Sequence, residues 1–348
     1  MFIIPKRAYL YVALVGATLL CVGCSAPQRA QAASPAITLK AVGDIAFTGG
    51  HGQSLGTPSS LLKYVAPTLK KSDITFGNLE TSLSRRGTKW NKAYTFRGPI
   101  TAGPALSKAG FDVMSLANNH TLDYGRGAFA DTVRVVRRSG MLPVGAGMNK
   151  KEAWEPKIIK REGKRIAFLA FSEITPGEFA ATSTRSGTAY TQSISAVTAA
   201  VRRAQKRADY VVVSMHWGVE KSYDPTYRQR KEAHAIIRAG ADAVLGHHPH
   251  RIQGVEKYRG KLIAYSLANF VFSPASAGST DTFILSFTLK EGKVVKATAR
   301  PVSIRQGTPH LVSLSSTAGK RISNILIKKS KAQGMRCYKG KSSVIFKF

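Results

Sequence analysis

The sequence predicts a layered α/β domain with helices outside central mixed sheets. Apolar strands and amphipathic helices alternate along the first part of the body of the chain, and strands predominate after residue 260. The 348 residues suffice for one large α/β domain or two smaller ones, with an ample core in either case. A hydrophobic content of 43% is typical of globular proteins and excludes a mostly disordered chain.

Short apolar or alternating runs bounded by Gly, Pro, Asn or Asp predict the strands. In chain order these runs are 37–42, 73–76, 112–116, a run near Pro143, 156–160, 165–171, 210–214, 243–245, 261–266, 282–289 and 294–302. Apolar residues at helical spacing predict the helices. The helices are expected at 59–70, 104–109, 125–139, 195–207 and 228–239. Residues 84–99 have neither pattern and are expected to form a loop.

The first 24 residues have the features of an export signal peptide, so we assign 1–24 to it. Lys6 and Arg7 give it a positive start, and residues 9–20 form an apolar stretch that is short for a membrane span. A retained transmembrane anchor is the alternative. Export agrees with the cysteine count, because only Cys337 lies outside this region and no intramolecular disulfide can form in the processed chain.

Residues 22–24, Val-Gly-Cys, resemble a bacterial lipobox, in which small residues precede a Cys that becomes lipid-modified. The match departs at Cys21, where Leu is usual. Cleavage after the small-x-small sequence at 30–32 would instead give a soluble secreted protein. We expect a lipoprotein anchored in the membrane, at the cell surface or in the periplasm, with a polar tether at 25–36.

The remainder divides into a main domain at 37–310 and a basic C-terminal tail at 311–348, in which 344–348 is a candidate closing strand. The whole chain has 52 Lys and Arg against 19 Asp and Glu, a net charge of +33, so its field attracts polyanions. No nucleic-acid-binding signature accompanies this charge, which argues against a nucleic-acid partner. Acidic polymers, anionic lipid and a merely solvated basic surface remain as explanations.

Candidate metal ligands follow five of the apolar runs, in short segments that contain Gly, Asn or His. Loops after the carboxyl ends of strands are where α/β folds place their sites. Asp, Glu, Asn and His together form a mixed oxygen and nitrogen set that suits Mn, Zn or Fe. Two such ions can polarise a phosphoryl group and activate the water that attacks it. The candidates are Asp44, Glu80, Asn119 with His120, His216, and His248 with His250.

Each of these residues taken singly has a purely structural explanation. Asp44 could form a turn or a helix cap, and Glu80 could pair with an Arg. Asn119 could occupy a turn with positive φ, and a lone His216 could be a satisfied core histidine. Their shared placement favours the metal interpretation, because the structural explanation needs five independent coincidences at strand ends.

Six short segments with these residues occur in order across residues 37–272. They are 42–45 (Val-Gly-Asp-Ile), 77–80 (Gly-Asn-Leu-Glu), 117–120 (Ala-Asn-Asn-His) with Asp123 and Gly125, 216–218 (His-Trp-Gly), 246–250 (Gly-His-His-Pro-His) and 266–270 (Ser-Leu-Ala-Asn-Phe). This ordered set resembles the bacterial capsule-biosynthesis family associated with poly-γ-glutamate, often called CapA-like. That family is a branch of the calcineurin-like metallophosphoesterases.

The resemblance implies a two-sheet metallophosphoesterase-like sandwich, four layers deep, with a site for two metal ions at the strand ends. The two divalent ions would be Mn, Zn or Fe. Asp44 and His250 would hold one of them, and Glu80 stands where a bridging carboxylate is usual.

The resemblance assigns the second ion to Asn119, His216 and His248. It assigns a catalytic role to His120, which matches the position that protonates the leaving oxygen or steadies the phosphoryl group. A His suits general-acid work near neutral pH.

The chain departs from the family pattern at three positions. Ala46 stands where the superfamily usually has a second ligand in its first motif, so the first ion would be weakly held or would need His51 or water. His247 gives a choice of which histidine pair binds metal. Ala268 replaces a Gly that is usual before Asn269.

Basic and aromatic residues in the adjoining loops are candidate substrate contacts. Arg97, Lys92 and Arg126 could hold carboxylates or phosphates. Trp217 and Tyr94 could line a groove. Ordinary packing or solvation is the alternative for each of them.

The resemblance implies an exported protein that acts in the synthesis or processing of an acidic capsular polymer such as poly-γ-glutamate, through hydrolase chemistry with two metal ions. The partner would be the acidic polymer or its phospho-linked precursor, and a synthase or transport complex in the membrane is a further candidate. A non-catalytic polyanion-binding or scaffolding protein is the alternative. A nucleotide or nucleic-acid phosphoesterase is a third hypothesis, which export and the resemblance oppose.

Overall fold

The computed structural model describes residues 35–48, 55–273 and 278–348. The expected signal peptide at 1–24, most of the tether at 25–36, and His51 lie outside these described residues. The strands are β1 (Ile37–Ile45), β2 (Ile74–Leu79), β3 (Ser82–Leu83), β4 (Arg97–Gly98), β5 (Val113–Ser115), β6 (Leu142–Val144), β7 (Ala146–Gly147), β8 (Lys157–Arg161), β9 (Lys164–Ser172), β10 (Gly187–Thr188), β11 (Tyr210–His216), β12 (Ala243–His247), β13 (Val255–Tyr258), β14 (Lys261–Ala264), β15 (Asn269–Val271), β16 (Asp281–Lys290), β17 (Lys293–Arg305), β18 (Thr308–Leu311), β19 (Cys337–Lys339) and β20 (Val344–Phe346).

The helices begin and end largely where capping chemistry places them. They are α1 (Pro58–Leu62), α2 (Ala66–Leu69), α3 (Ala102–Ala109), α4 (Gly125–Arg138), α5 (Lys150–Trp154), α6 (Ile194–Gln205), α7 (Tyr227–Arg238) and α8 (Thr317–Lys331), with a 3-10 turn at Gly177–Phe179. At the start of α7, Thr226 and Gln229 form a reciprocal capping box. The expected helix at 59–70 is interrupted, because Pro67 has no N–H to continue the hydrogen-bond pattern and fits only in the first turn of α2.

Two mixed sheets form the centre of the domain. The larger has the order β19-β20-β17-β16-β1-β2-β5-β6, with β15 paired to β1 and β18 paired to β17. The smaller has the order β13-β14-β12-β11-β9-β8. In the larger sheet β1, β2, β5 and β6 run parallel, and in the smaller sheet β9, β11, β12 and β14 do so.

Apolar side chains fill three layers between and outside the sheets. One cluster lies between the two sheets, where Phe76 of β2 stacks on Phe168 of β9. A second lies between the larger sheet and α1 to α4, and a third between the smaller sheet and α6 and α7. The order is therefore helix, sheet, sheet, helix, and the prediction of a four-layer α/β sandwich with outer helices is confirmed.

The segment 311–348, expected to be a basic tail, is a folded part of this domain. Helix α8 contributes Ile322 and Leu326 to the core between the sheets, and the hydroxyl of Ser330 accepts a hydrogen bond from the N–H of Val255 at 3.0 Å. Strand β20 pairs with β17, and β19 pairs with β20. No structural boundary therefore separates the segment from the main domain at residue 310.

Candidate metal centre

The carboxyl ends of the parallel strands of both sheets meet at one place. Within the larger sheet, Asp44 lies opposite Asn78 of β2 and Asn269 of β15. Within the smaller sheet, His216 lies opposite His247. The two sheets approach each other here, since Nδ1 of His247 is 3.1 Å from Oδ1 of Asp44.

This convergence requires very close backbone packing beside Asp44. A Cβ atom on Gly43 would lie 1.9 Å from the carbonyl oxygen of Ala268, so only glycine fits. The same oxygen accepts a hydrogen bond from the N–H of Asp44 at 2.9 Å. Ala268 has φ 58°, a left-handed conformation that glycine adopts more easily, which explains why a Gly is expected at this position.

Asp44 is fully buried and is held from several directions. Its carboxylate accepts hydrogen bonds from Nδ2 of Asn78 at 2.9 Å and from the N–H of His248 at 3.3 Å, and Nδ1 of His250 lies 3.3 Å from Oδ2. Burial by itself would raise the pKa of Asp44, but the hydrogen bonds with His247 and His250 hold it well below its usual range. Asp44 is therefore an ionised carboxylate with a fixed orientation.

Glu80 is also fully buried, yet neither of its carboxylate oxygens accepts a hydrogen bond from any residue that the structure describes. The nearby Nε2 of His216 lies 3.5 Å from Oε1 of this carboxylate. Burial, and then the negative charge of Asp44, raise the pKa of Glu80 well above its usual range. A cation between the carboxylates would offset both effects on the pKa of Glu80.

Three histidines and one asparagine complete the cluster. Nε2 of His216 lies 2.8 Å from Oδ1 of Asn119, and the ring centroids of His216 and His248 are 4.9 Å apart. Burial lowers the pKa of His216 well below its ordinary value and that of His248 to about 3. Both rings are therefore neutral near pH 7, with lone pairs available for a metal ion.

His250 differs from the other two. Burial by itself would lower its pKa, but the hydrogen bonds with Asp44 and Asn269 raise it above its ordinary value. Its Nδ1 lies 2.8 Å from Oδ1 of Asn269, so this asparagine orients the ring. His248 and His250 have φ angles of 93° and 54°, and such strained non-glycine residues are common at functional sites.

The donor atoms fall into groups close enough to bind metal ions. Within each group the ligand atoms lie within 4.8 Å of one another. One group is Asp44, Glu80 and His250, and a second is Glu80, His216 and His248. Glu80 belongs to both, and its two unpaired oxygens are a buried charge that a bound cation would neutralise. The residues present therefore fit divalent metal ions.

His247, the alternative histidine, takes a different place. It is fully buried against Phe76, with its ring centroid 6.0 Å from that of the phenyl ring. Its Nδ1 is directed at Asp44, and it belongs to none of the ligand groups found in the described residues. The structure thus brings His248 and His250 to the cluster, and it uses His247 to orient Asp44.

His120 lies at the edge of the cluster in a polar network of its own. Its Nδ1 is 2.7 Å from Oδ2 of Asp123, and Phe96 stacks on its ring at 4.1 Å. Lys92 lies 2.6 Å from the other oxygen of Asp123 and donates a hydrogen bond to the carbonyl of Asn119. Burial lowers the pKa of His120, and Asp123 offsets only part of this.

The three expected substrate contacts are not part of this cluster. Trp217 is fully buried, and its Nε1 donates to the carbonyl of Tyr265 at 3.1 Å, so it cannot line a groove. The guanidinium of Arg97 donates to two backbone carbonyls and stacks 3.5 Å from the ring centroid of Tyr124. Arg126 donates to the carbonyl of Glu178 at 2.6 Å. Trp217 thus has a structural role, and both arginines are engaged with backbone carbonyls in the structure.

Two asparagines behind the ligands, Asn78 and Asn118, have supporting roles that the sequence did not predict. Asn78 donates to Asp44 and lies 3.5 Å from Nδ1 of His216, which ties the two sheets together. Asn118 donates to Asn78 and accepts from the N–H of His120. The signal was present, because Asn is depleted in strands and Asn78 stands within an apolar one.

Comparisons with known proteins agree with this architecture. Residues 38–274 match the family model described as "Bacterial capsule synthesis protein PGA_cap". The chain is 33% identical over 275 residues to "PGA biosynthesis protein CapA" of Bacillus subtilis (strain 168), covering 78% of this chain and 72% of that protein. It is 30% identical over 323 residues to "Capsule biosynthesis protein CapA" of Bacillus anthracis, covering 88% and 78%.

One solved structure shares the fold. It is a hypothetical protein from Thermus thermophilus, which is 14% identical, with a TM-score of 0.50 over 76% of this chain and 98% of that one. This likeness extends to the fold alone. The match over residues 38–274 and the two CapA relatives together show that this chain belongs to the bacterial capsule synthesis protein family PGA_cap.

Proposed function

We propose that this protein acts in the synthesis or processing of an acidic capsular polymer such as poly-γ-glutamate, as a hydrolase that depends on two divalent metal ions. The observation that carries the proposal is Glu80, a buried carboxylate without hydrogen bonds among the described residues, shared by two ligand groups. Family membership and the names of the two Bacillus relatives supply the polymer. The substrate would be the polymer or a phospho-linked precursor.

Six side chains would hold the two ions. Asp44, Glu80 and His250 would bind one, and Glu80, His216 and His248, with Asn119, would bind the other. Mn, Zn or Fe suits this mixture of oxygen and nitrogen ligands. When bound, the ions would supply Lewis acidity and a water that is deprotonated near neutral pH.

His120 would supply the proton for the leaving oxygen. If its Nδ1–H donates to the carboxylate of Asp123, the catalytic nitrogen is Nε2. Lys92 neutralises Asp123 from the other side, and Phe96 packs on the imidazole face, so the ring is held in one orientation. An acidic substrate would be attracted by the net charge of +33.

The location we propose is outside the cytoplasmic membrane, as a lipoprotein. The observation that supports it is the lipobox-like sequence at 22–24, which lies outside the described residues. In the parts of the chain that the structure describes, no helix combines the length and the apolar character needed to cross a bilayer. Labelling of cells with a fatty-acid analogue, comparing wild type with Cys24→Ala, tests the anchor.

The hydrolase proposal is tested with purified full-length protein. Metal content is measured, and hydrolysis of a phosphodiester and of poly-γ-glutamate is followed for wild type, His250→Ala and His120→Ala. We expect bound transition metal in wild type, loss of metal and activity in His250→Ala, and a rate lower by about 10²–10⁴ with metal retained in His120→Ala. Wild-type protein that binds no divalent ion would refute the mechanism.

A second candidate function, polyanion binding without turnover, is favoured by a basic groove. It has a volume of about 500 Å³ and lies between α5 and the C-terminal end of α6. Its basic residues are Lys150, Lys151, Arg203, Lys206 and Arg207. Within the described residues, only Arg207 among them forms an ion pair, with Glu155 at 2.5 Å. If cells that carry Asp44→Ala make normal polymer while a Lys150→Glu, Arg203→Glu variant does not, binding is the function.

A further inference from the structure

A fourth carboxylate lies beside the candidate metal centre. Glu220 follows β11 in the loop after His216, and one of its carboxylate oxygens lies within 4.8 Å of ring nitrogens of both His248 and His250. Unlike Asp44 and Glu80, Glu220 is exposed. Its side chain makes no hydrogen bond or ion pair with any other residue in the described parts of the chain, so the carboxylate is free to bind a ligand.

The loop of Glu220 is fixed to the loop of the two histidines. Lys221 adopts φ 63°, which is unusual for a residue with a side chain, and its N–H donates to the carbonyl of Pro249 at 2.8 Å. Pro249 lies between His248 and His250 in the sequence. The side chain of Gln253 donates to the carbonyl of Ser222 at 3.1 Å. The position of Glu220 relative to the histidines is therefore set by backbone hydrogen bonds.

Among the described residues, the side of His250 next to Phe272 offers no metal ligand. Ala46 is fully buried and packs in a small apolar cluster with Phe96 and Phe272. The ring of Phe272 lies 5.1 Å from that of His250, and the N–H of Ala46 is bonded to the carbonyl of Val271. Further protein ligands for an ion at His250 must come from elsewhere, and the carboxylate of Glu220 lies within 4.8 Å of it.

We infer that Glu220 is a metal ligand, which binds together with His250 the ion also held by Asp44 and Glu80. This inference rests on the proposed function, since it requires that the centre binds metal. A third carboxylate brings the ligand charge closer to that of two divalent ions, and carboxylate oxygens suit Mn, Zn and Fe. A solvated surface Glu, the alternative, would have no effect on metal affinity.

Titration calorimetry of full-length, metal-stripped protein with Mn²⁺ tests the inference. We expect wild type to bind two ions and Glu220→Gln to bind one of them at least about 10-fold more weakly, with the other unchanged. Glu220→Asp should recover part of the affinity. Glu162→Gln is the matched control, because Glu162 is an exposed glutamate in the turn at the amino end of β9, at the opposite edge of the smaller sheet.

The outcomes separate this inference from the proposed function. If wild type binds no Mn²⁺, the metal-dependent function and this inference both fail. If wild type binds two ions and Glu220→Gln binds them with the same affinities, only the role of Glu220 is refuted. The visible spectrum of the Co²⁺-substituted protein is a second readout, since it changes in Glu220→Gln when a ligand is lost and stays the same when Glu220 is only a surface charge.

Discussion

Replacing Glu80 by Gln should stabilise the metal-free protein and weaken its stabilisation by metal. The carboxylate is fully buried and has no hydrogen-bond donor among the described residues. An unsatisfied buried polar group costs about 1–3 kcal/mol, and a charged group costs more. We therefore expect Glu80→Gln to raise the free energy of unfolding in EDTA at pH 8 by ~1–3 kcal/mol.

The size of this effect should depend on pH. The pKa of Glu80 is higher in the folded than in the unfolded protein. The stability that this difference contributes is therefore fully present below pH 4.5, the ordinary pKa of the carboxyl group. That contribution is lost as the pH rises through the folded pKa. The advantage of the Gln variant should therefore grow with pH and vanish in acid.

Metal should invert the order of stability. At a free Mn²⁺ concentration of 100 times Kd, one site stabilises the folded wild type by about 2.7 kcal/mol. The Gln variant lacks the shared carboxylate and should gain much less. Urea unfolding of wild type, Glu80→Gln and the surface control Glu162→Gln, in EDTA and in Mn²⁺, measures both effects. A Gln variant that is less stable than wild type in EDTA at pH 8 would refute the reasoning.

Three further predictions concern the surroundings of the centre. Burial, and then the neighbouring Glu232, raise the pKa of Glu173 to about 8. The free energy of unfolding, measured with urea, should therefore fall less steeply between pH 4.5 and 8 in Glu173→Gln than in wild type. Gly43→Ala, whose Cβ would lie 1.9 Å from a backbone oxygen, should lower the free energy of unfolding by at least ~3 kcal/mol, whereas Gly127→Ala, with open space, should not. Trp217→Phe should lower the free energy of unfolding by ~1–3 kcal/mol and leave the affinity for Mn²⁺ unchanged. A variant with wild-type stability and weaker Mn²⁺ binding would show that Trp217 acts in the site.

The sequence was sufficient to predict the layers and the convergence of the candidate ligands, because both follow from local patterns. The apolar runs gave the strands, and ligands such as Asp44 and His216 stand at strand ends, which parallel pairing brings to one edge. The supporting asparagines required more. Asn78 meets Asp44 only because β1 and β2 pair in one particular register, which includes an irregularity between Ala41 and Asp44 that local patterns do not predict.

Two errors have simple physical causes. Trp217 directly follows His216, and successive side chains of a strand point to opposite faces. Because His216 faces the candidate metal centre, Trp217 points the other way, into the core beside the helices. Helix α8 was not predicted, because its lysines obscure the apolar pattern of the segment. Its buried stripe includes Ile322 and Leu326, four residues apart, and the flanking Lys320, Lys328 and Lys331 are exposed.

The energetic costs at the centre favour a site that binds a ligand over a scaffold that keeps the fold and binds no metal. His248, His250 and Ala268 hold left-handed backbone conformations, which cost about 1–3 kcal/mol each, and the unpaired Glu80 adds a further penalty. No hydrogen bond from the described residues satisfies the carboxylate of Glu80, whereas a metal ion would. A scaffold that needed only the fold could replace Glu80 by a nonpolar residue and gain stability. The retained carboxylate therefore favours a metal centre, and His120, held by Asp123 beside it, favours a catalytic one.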